Sequence, residues 1–370
     1  MEGDHLVKKP EWDTFITQVE PDKIVIAGYL ITEIIREKTF LETVCLLIQG
    51  HFPDRSQLKA LEQRVFDAMK LAAPEVDINK EEELSRKVSK FLLLDEPLAY
   101  FAVSDENSPL DKTIFCLGRI LRCLASIFGN ESVIENLSAS HSFSHVLYRI
   151  LTGRIGPDQK QERVLEAMVV SCADHGVTAP SAQITIIAAS TRTAYEVAVT
   201  QGISAITEVH GGAGAPAAAF FQRCIEKAEV KGAGLPEVIR EIIVEFMEGG
   251  KRIPGLGHRI HRSDPRQGVL RAMALETGVA SECVHISKAV TEIFQQVRGR
   301  SLPLNVDGII GAIVADMALD LRLAKALFIC GRMAGLSAHY FEEIALHPPM
   351  RRVDFSKAVY KGRIPGSLAP

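Results

Sequence analysis

The amino-acid sequence predicts an all-α fold divided into two domains. Apolar residues recur along most of the chain at the i, i+3 and i+4 spacing of amphipathic helices, and several of these segments begin at Pro or end at Gly. Only one short stretch, 23–27, alternates as a strand does, and we expect it to form a small hairpin. No segment shows the pattern of a parallel sheet. A chain of 370 residues with 47% hydrophobic content can bury a large core, and its length favours two domains.

The first helices are predicted from apolar runs and their boundaries. The segment 40–49 is apolar and stops at Gly50, as a buried helix would. We predict that Ser56 is the N-cap of the next helix, because the apolar residues after it fall on one helical face: Leu58, Leu61, Val65 and Met69. The charged run 79–87 is interpreted as a solvated helical face without a function.

The remaining helices are predicted in the same way. Long core helices are expected over 111–128 and 181–206, where apolar residues and Ala dominate. The segment 235–248 has Pro in its first turn and Gly249 after its end, which are the usual helix boundaries. Two further helices are predicted over 288–297 and 309–330. No internal repeat of solenoid period is present in the sequence.

Composition and charge restrict the partners and the compartment. The net charge of −4 and the pI near 6.3 provide no field that would attract nucleic acid or acidic lipid, so we expect neither a nucleic-acid nor a membrane partner. The seven cysteines are scattered and form no Cys-x-x-Cys, so we expect them to be reduced and mostly buried. The sequence shows neither a hydrophobic signal region nor an apolar run of about 18 residues. The expected location is therefore cytoplasmic.

A glycine-rich loop, 249–266, carries the strongest functional signal. It contains His258, Arg262 and Arg266, which suit an anionic substrate whose carbonyl must receive a hydrogen bond or a proton. Gly residues on both sides of Leu256 would let the backbone turn sharply or lie against a flat ligand. A surface loop with ordinary solvated basic residues explains this stretch, taken alone, equally well.

Other histidines have competing interpretations. His141 and His145 lie one helical turn apart, but no acidic third ligand adjoins them, so we interpret them as structural. The Asp-His pair that ends at His175 could cap a helix or bind a ligand carbonyl or carboxylate, and spacing alone does not decide between these roles. His210 precedes two glycines and would stand at a helix junction beside exposed backbone.

Asp307 also has two interpretations. It precedes an apolar helix and could be its N-cap, a role that Asp often fills. Alternatively, it is a carboxylate in an apolar mouth, where desolvation makes it basic enough to remove a weakly acidic C–H proton. The sequence contains no Gly-x-Ser-x-Gly, no Walker motif and no complete Gly-x-Gly-x-x-Gly.

Taken together, six of these motifs occur in the order found in the citrate synthase superfamily, which this chain resembles over nearly its whole length. They are Ala-Asp-His at His175, His-Gly-Gly-Ala at His210, Pro-Gly-Leu-Gly-His-Arg at His258, Asp-Pro-Arg at Arg266, Asn-Val-Asp at Asp307 and Gly-Arg-Met-Ala-Gly-Leu-Ser-Ala-His at Arg332. The resemblance implies an all-helical homodimer. It also implies a large domain, 1–211 and 318–370, and a smaller mobile domain, 212–317, that closes over a cleft.

The resemblance implies a role for each of these residues. Asp307 would take the methyl proton of an acyl-CoA, His210 would stabilise the enolate, and His258 would protonate the carbonyl of the 2-oxo acid. The carboxylates of oxaloacetate would be bound by Arg266, Arg332 and His175. CoA would contact the backbone of Pro254, Gly255, Leu256 and Gly257 and, through a phosphate, Arg262. The CoA thioester is thus a substrate, and the resemblance implies neither a tightly bound cofactor nor a metal.

Several positions depart from ordinary citrate synthases. The loop from His258 to Arg266 is one residue shorter, and Cys172 stands where many of those enzymes have a histidine. The segments around Asp307 and Arg332 look more like the citryl-CoA lyase module of ATP-citrate lyase, although that module lacks the histidine found here at His210. Where synthases have an Arg that reaches the partner's site, this chain has three candidate substrate-binding residues: His347, Arg351 and Arg352.

Three functions follow from the resemblance. The first is condensation of an acyl-CoA, acetyl-CoA being favoured, with a 2-oxo acid, oxaloacetate being favoured, through citryl-CoA. The second is cleavage of citryl-CoA by the same site acting as a lyase. The third is an inactive homologue that binds CoA or carboxylates, which the intact His210, His258 and Asp307 disfavour. The expected partners are therefore acyl-CoA with oxaloacetate or citrate, and a second copy of the chain.

Overall fold

The computed structural model describes residues 12–76, 82–138, 140–154, 158–351, 359 and 361. In these residues one small antiparallel sheet precedes a series of α-helices, which confirms the all-α prediction. The first helices are α1 Ile31–Glu37, α2 Phe40–Gln49, α3 Arg55–Lys70, α4 Leu84–Leu93, α5 Glu96–Val103, α6 Pro109–Phe128, α7 Glu131–Glu135, α8 Phe143–Thr152 and α9 Gln159–Ser171. The later helices are α10 Pro180–Ser190, α11 Tyr195–Ser204, α12 Gly214–Lys231, α13 Leu235–Glu248, α14 Pro265–Thr277, α15 Glu282–Arg298, α16 Val306–Asp316 and α17 Leu323–Leu346.

The predicted hairpin is present and has a third, very short strand. Strands β1 (Thr17–Glu20), β2 (Lys23–Ile26) and β3 (Tyr29–Leu30) pair in this order, all antiparallel. Ile24 and Ile26 point into the core, since both are almost completely buried. The turn between β1 and β2 contains Asp22 with a positive φ of 63°, a conformation that non-glycine residues adopt only when neighbouring contacts hold it.

Capping residues explain where the early helices begin. Thr39 and Glu42 form a capping box at the start of α2, and Gly50 ends this helix in the left-handed conformation, as predicted. The prediction of Ser56 as the cap of α3 is wrong. The Asp54 side chain accepts the backbone N–H of Gln57 at 2.8 Å, and the backbone N–H of Asp54 donates to the side-chain oxygen of Gln57 at 2.8 Å. A complete capping box thus begins before Ser56, which is part of the first turn.

Two predicted long helices are each broken in the middle. The segment 181–206 contains α10 and α11, and the segment 309–330 contains the end of α16 and the start of α17. The turns that separate them use Arg192 and Ala318 with positive φ of 61° and 50°. Neither turn contains Gly or Pro, so the sequence carries no punctuation there. The charged run 79–87 falls partly outside the described residues, and within α4 its Lys87 is buried, so that face is not fully solvated.

The helices form two packed groups. Helix α17 is buried along most of its length and packs against α2, α6, α9, α10 and α11. Helices α12, α13, α15 and α16 pack on one another, and α12 and α16 also contact α17. Helix α14 contacts α1 and α9 of the first group as well as α16, so it connects the two groups. This arrangement is compatible with the predicted boundary at 212–317, which stays a prediction.

The cysteines and the apolar character of the described helices can be compared with the predictions from the sequence. All seven cysteines are free and buried, as expected, and burial raises the pKa of each thiol well above its usual value. These thiols are therefore protonated and shielded. None of the described helices combines the length and the apolar character needed to cross a membrane.

Candidate active site

A cavity of about 920 Å³, termed the cleft, lies where the two groups of helices meet. The first turns of α12 and α16, the loop 250–260 and α17 contribute to its wall. The structure brings to this cleft most of the site residues predicted from the sequence: His175, His210, Pro254, Gly255, Leu256, Gly257, His258, Arg266, Asp307 and Arg332. These residues come from distant parts of the sequence, so the fold itself assembles the site.

Asp307 lies in the first turn of α16 but is not its cap. Asn305 caps this helix by accepting the N–H of Gly308 at 3.0 Å, so the interpretation of Asp307 as the N-cap is wrong. Among the described residues, no side-chain hydrogen bond occupies the Asp307 carboxylate. Burial raises the pKa of Asp307 to about 6, against the opposing charges of Arg266 and Arg332. At neutral pH it is an ionised but basic carboxylate, which suits a general base.

Close backbone packing fixes Asp307 relative to the glycine-rich loop. The N–H of Gly257 donates to the carbonyl of Pro303 at 2.7 Å, and the N–H of Asn305 donates to the carbonyl of Gly255 at 2.9 Å. A Cβ atom on Gly308 would lie 2.7 Å from that same Gly255 carbonyl oxygen, and real Cβ atoms do not approach so closely. Glycine is therefore required at Gly308 for the loop to pack against α16.

His258 lines the cleft and carries its proton on Nε2. Its Nδ1 atom accepts the backbone N–H groups of Ile260 at 3.1 Å and His261 at 3.0 Å, so in the neutral ring the proton is on Nε2. Burial, together with the charge of Arg266, lowers the pKa of His258 to about 4. The ring is thus a neutral donor at physiological pH.

His210 has the opposite tautomer. The backbone N–H of Ser181 lies 3.4 Å from its Nε2 atom, and the Ser181 hydroxyl lies 2.9 Å from the same atom. The N–H can only donate, so we assign the proton of the neutral ring to Nδ1. Burial, together with Arg332, lowers the pKa of His210 to about 3. Gly211 follows with φ of 75° against the Phe328 ring, and a side chain at Gly211 would overlap this ring.

Arg266 is held in place by a buried carboxylate that the sequence analysis did not single out. Its Nε and Nη2 atoms donate to the two oxygens of Asp264 at 2.9 and 2.7 Å, and both side chains are buried. Burial alone would raise the pKa of Asp264, but Arg266 outweighs it and lowers the pKa to about 2. Asp264 also accepts the N–H of Val306 at 3.1 Å, which connects Arg266 to the helix of Asp307.

Arg332 enters the cleft from α17. Its Nε atom donates to the carbonyl of Cys172 at 3.1 Å, its Nη1 atom lies 3.5 Å from the Ser181 hydroxyl, and its guanidinium lies 5.0 Å from the centre of the Phe328 ring. It is only 1% exposed. Arg332 and Arg266 therefore provide two immobilised cations that face Asp307, and an acid with two carboxylates could be bound between them.

His261 is a further site residue that sequence reasoning missed. The Nε2 atoms of His175 and His261 lie 3.0 Å apart, and the His261 ring stacks on His258 with a centroid distance of 4.4 Å. The only sequence signal was its position three residues after His258. One ring nitrogen from each of His175, His258 and His261 lies within 4.8 Å of the others, a spacing that could hold a metal ion. The protonated Nε2 atom of His258 argues against a metal ligand there, because a ligating nitrogen must be free of its proton.

One part of the cleft wall, termed the basic wall, is cationic. Four exposed basic residues line it, and none of them was predicted: Lys251, Arg252, Arg298 and Arg300. Arg259 also lines the cleft and donates to the carbonyl of Thr178 at 3.2 Å. Arg262, the predicted phosphate ligand, is exposed and does not line the cleft. Lys251, Arg252, Arg298 and Arg300 are therefore better placed than Arg262 to bind an anionic ligand.

Two predicted substrate-binding residues of the C-terminal tail, His347 and Arg351, do not line the cleft of their own chain. His347 ends α17, with its Nε2 atom 4.0 Å from an oxygen of Asp13. Arg351 pairs with the buried Glu343 and lies 5.1 Å from the centre of the Trp12 ring. Arg352 lies outside the described residues. The predicted role of His347 and Arg351 in substrate binding thus depends on a second copy of the chain.

The interpretation of His141 and His145 as structural fits their surroundings. Their rings stack with a centroid distance of 4.6 Å, and the Nδ1 atom of His145 lies 2.8 Å from an oxygen of Glu162. Glu162 is the acidic neighbour that the local sequence did not reveal, because it comes from the next helix, α9.

Comparisons with known proteins show the family and the fold. A family model described as "Citrate synthase, C-terminal domain" matches residues 8–352. A relative named Putative citrate synthase 2 from Mycobacterium tuberculosis is 32% identical over 234 residues, which are 61% of this chain and 58% of the relative. The alignment thus spans less than two thirds of that relative's length.

Two solved structures are also similar to this chain. Citrate synthase from the archaeon Thermoplasma acidophilum, in a ternary complex with carboxymethyl coenzyme A and oxaloacetate, has a TM-score of 0.78 with 20% identity, and the match covers 98% of this chain and 97% of that one. At this identity the likeness concerns the fold. Citryl-CoA lyase from Hydrogenobacter thermophilus is 35% identical with a TM-score of 0.54, and the match covers 64% of this chain and 89% of the lyase.

Proposed function

The chain belongs to the citrate synthase family, and from this premise we propose that it is a condensing enzyme, which joins acetyl-CoA to oxaloacetate through citryl-CoA. The observation that carries the proposal is the Asp307 carboxylate, which has a raised pKa and lines one cleft together with two neutral histidines of opposite tautomer, His210 and His258. A weak carbon acid needs a base of this kind, and an enolate and a carbonyl each need a hydrogen-bond donor.

The proposed reaction assigns one task to each of these groups. Asp307 takes a proton from the methyl group of the thioester, and the Nδ1–H of His210 stabilises the enolate oxygen. The enolate carbon then forms a bond with the carbonyl carbon of the oxo acid, and the carbonyl oxygen receives the hydrogen bond and then the proton of His258. Asp307 then releases the methyl proton to solvent, and the deprotonated His258 takes one proton back from solvent. Citryl-CoA therefore forms without a net gain or loss of protons.

The charge distribution of the cleft supports the choice of substrates. Arg266 and Arg332 provide two buried cations, which match the two carboxylates of oxaloacetate. The residues of the basic wall suit the phosphates of CoA, because exposed cations attract phosphate without requiring a fixed geometry: Lys251, Arg252, Arg298 and Arg300. The archaeal relative with a similar fold was solved with a CoA analogue and oxaloacetate, which is compatible with this division of the cleft.

A second candidate function is cleavage of citryl-CoA to acetyl-CoA and oxaloacetate. It is favoured by the similarity to a citryl-CoA lyase, which at 35% identity exceeds the 20% identity to the archaeal synthase. The same residues would act in the reverse direction. The two functions differ in the fate of citryl-CoA, because only a synthase hydrolyses its thioester.

One experiment separates these functions. The protein is incubated with acetyl-CoA and oxaloacetate, and separately with citryl-CoA, and the products are identified by mass. Citrate and free CoA from both reactions support the synthase. Acetyl-CoA and oxaloacetate from citryl-CoA, without citrate, support the lyase. Binding of both ligands without turnover would overturn both proposals in favour of an inactive homologue. In every reaction the Asp307→Asn variant is the control.

We extend the proposal to the assembly of the protein. A homodimer would give the tail residues a cleft to reach, and closure of 212–317 over the cleft would exclude water during the carbon–carbon step. Ordered binding, with the oxo acid first, is the expected kinetic result, because Arg332 belongs to the predicted large domain and Arg266 to the predicted small domain. Cytoplasmic location remains a prediction from the sequence.

A further inference from the structure

The N-terminal hairpin contacts the glycine-rich loop through three hydrogen bonds of a single residue. Asp22, in the turn between β1 and β2, accepts the backbone N–H groups of Arg262 at 2.7 Å and Ser263 at 2.6 Å on its Oδ1 atom. Its own backbone N–H donates to the Nδ1 atom of His261 at 3.1 Å. These contacts explain how Asp22 maintains a positive φ, because they offset the cost of that conformation.

The hydrogen bond from the backbone N–H of Asp22 to the Nδ1 atom of His261 decides the tautomer of this ring. A backbone N–H can only donate, so the nitrogen that it approaches must carry a lone pair, and in a neutral ring the proton is then on Nε2. The ring is neutral because burial lowers the pKa of His261, and its side chain is only 2% exposed. The Nε2–H of His261 therefore faces the atom that lies 3.0 Å away, the Nε2 of His175.

The tautomer of His261 in turn determines the tautomer of His175. Two protonated nitrogens cannot face each other at 3.0 Å, so the Nε2 atom of His175 accepts and its proton is on Nδ1. Burial, with the charges of Arg266 and Arg332, lowers the pKa of His175 well below its usual value, so this ring is neutral as well. No described residue makes a hydrogen bond with the Nδ1 atom of His175, whose ring lines the cleft.

We propose that His261 is a positioning residue, which fixes His175 in the Nδ1–H tautomer so that His175 offers one N–H to a carboxylate or carbonyl oxygen of the bound acid. Asp22 fixes His261 in turn, so the N-terminal hairpin sets the protonation pattern of the cleft. This inference rests on the proposed function only in naming the acid. The tautomers of the two rings are independent of any reaction.

The substitutions that test the proposal address the two contacts of His261. His261→Leu keeps an apolar side chain in the buried position but removes both hydrogen bonds. His261→Gln retains an acceptor for the Asp22 N–H and a donor for His175, so it is the conservative variant. His285→Gln is a matched control, because His285 is an exposed histidine of α15.

The first measurement is the tautomer of His175, obtained from ¹⁵N chemical shifts of the wild-type protein labelled at histidine and assigned with a His175→Gln variant. The expected result is Nδ1–H for His175 and Nε2–H for His261. Nδ1–H at His261, which would point to a hydrogen bond with the Glu20 carbonyl instead, overturns the proposal. This measurement needs neither activity nor a folded His261 variant, so a failure of the proposed function does not affect it.

The second measurement is the affinity for oxaloacetate, determined by calorimetry together with KM and kcat. His261→Leu should weaken acid binding roughly tenfold, because the tautomer of His175 that donates a hydrogen bond to the acid is then no longer fixed in a buried site. The substitution should raise KM more than it lowers kcat. His261→Gln and His285→Gln should bind the acid as the wild type does. Equal affinity in the folded Leu and Gln variants would overturn the role of His261 in positioning.

Discussion

The Nε2 atom of His339 lies 3.2 Å from an oxygen of Asp174, and both side chains are completely buried. The backbone N–H of Gly176 donates to the same oxygen at 2.9 Å. Burial alone would lower the pKa of His339, but Asp174 outweighs it and raises the pKa to about 9, while His339 holds the pKa of Asp174 well below its usual range. This ion pair connects α17 to the segment that carries His175.

Removing His339 should therefore destabilise the fold. His339→Gln leaves Asp174 as a buried charge without its partner, and we expect a loss of about 3–5 kcal/mol in the free energy of unfolding, measured by urea denaturation. His347→Gln, at the end of the same helix with an acidic atom 4.0 Å away, is the control and should cost under about 1 kcal/mol.

The difference in the free energy of unfolding between the wild type and His339→Gln should depend on pH. The folded pKa of His339 is raised, so its contribution is fully present below the unfolded pKa near 6.5 and is lost as the pH rises through about 9. The stability difference between the wild type and His339→Gln should thus shrink between pH 6.5 and 9. A difference that stays constant over this range would show that His339 is not charged in the folded protein.

Asp307→Asn should abolish exchange of the methyl protons of acetyl-CoA with deuterated solvent, followed by mass spectrometry. The variant should keep its fold and its affinity for the acid, since a buried carboxylate with a raised pKa contributes no stability at neutral pH. In the wild type, kcat/KM should fall as the pH drops through about 6, because the base must be ionised. Asp320→Asn, on the surface, is the control. Normal exchange in Asp307→Asn would remove this residue from the role of base.

The basic wall of the cleft should determine CoA affinity. Replacing Arg298 and Arg300 together with Ala should weaken CoA binding by about 1–2 kcal/mol, and the loss should diminish at high salt because both side chains are exposed. Arg262→Ala should change CoA affinity much less, because Arg262 does not line the cleft. Calorimetry with CoA at two salt concentrations provides the measurement. A larger effect of Arg262→Ala would restore the assignment made from the sequence.

Helix ends that are marked by local residues could be predicted from the sequence, whereas helix breaks and contacts between distant residues could not. Helix α13 could be predicted because Pro and Gly mark its two ends, whereas the breaks at Arg192 and Ala318 could not, since tertiary packing imposes their positive φ. In the site, the local sequence leaves two interpretations open for Asp307, and Arg332 is identified only because its motif resembles a known family. The contact between His261 and His175 joins residues 86 positions apart, and no local pattern specifies it.

Arg351 of the tail was predicted to bind substrate, but in its own chain it contacts residues outside the cleft. Arg351 pairs with Glu343, which is only 1% exposed, and packs over Trp12. Arg351→Ala should therefore lower the melting temperature of the protein, since it leaves a buried carboxylate without its partner. If the tail acts only within its own chain, this change should not alter the affinity for the acid, because Arg351 does not line the cleft of that chain.

A role of the tail across subunits would give a different result in mixed dimers. Replacing both Arg351 and Arg352 with Ala should weaken acid binding by roughly 2–4 kcal/mol if the tail completes the neighbour's carboxylate site, because charged hydrogen bonds in a closed cleft are costly to lose. Mixing this double variant with the Asp307→Asn chain then combines an intact tail with an intact base at one of the two sites, so activity should recover. If heterodimers form without recovery, Arg351 serves only its own fold, and His347 becomes the residue to test next.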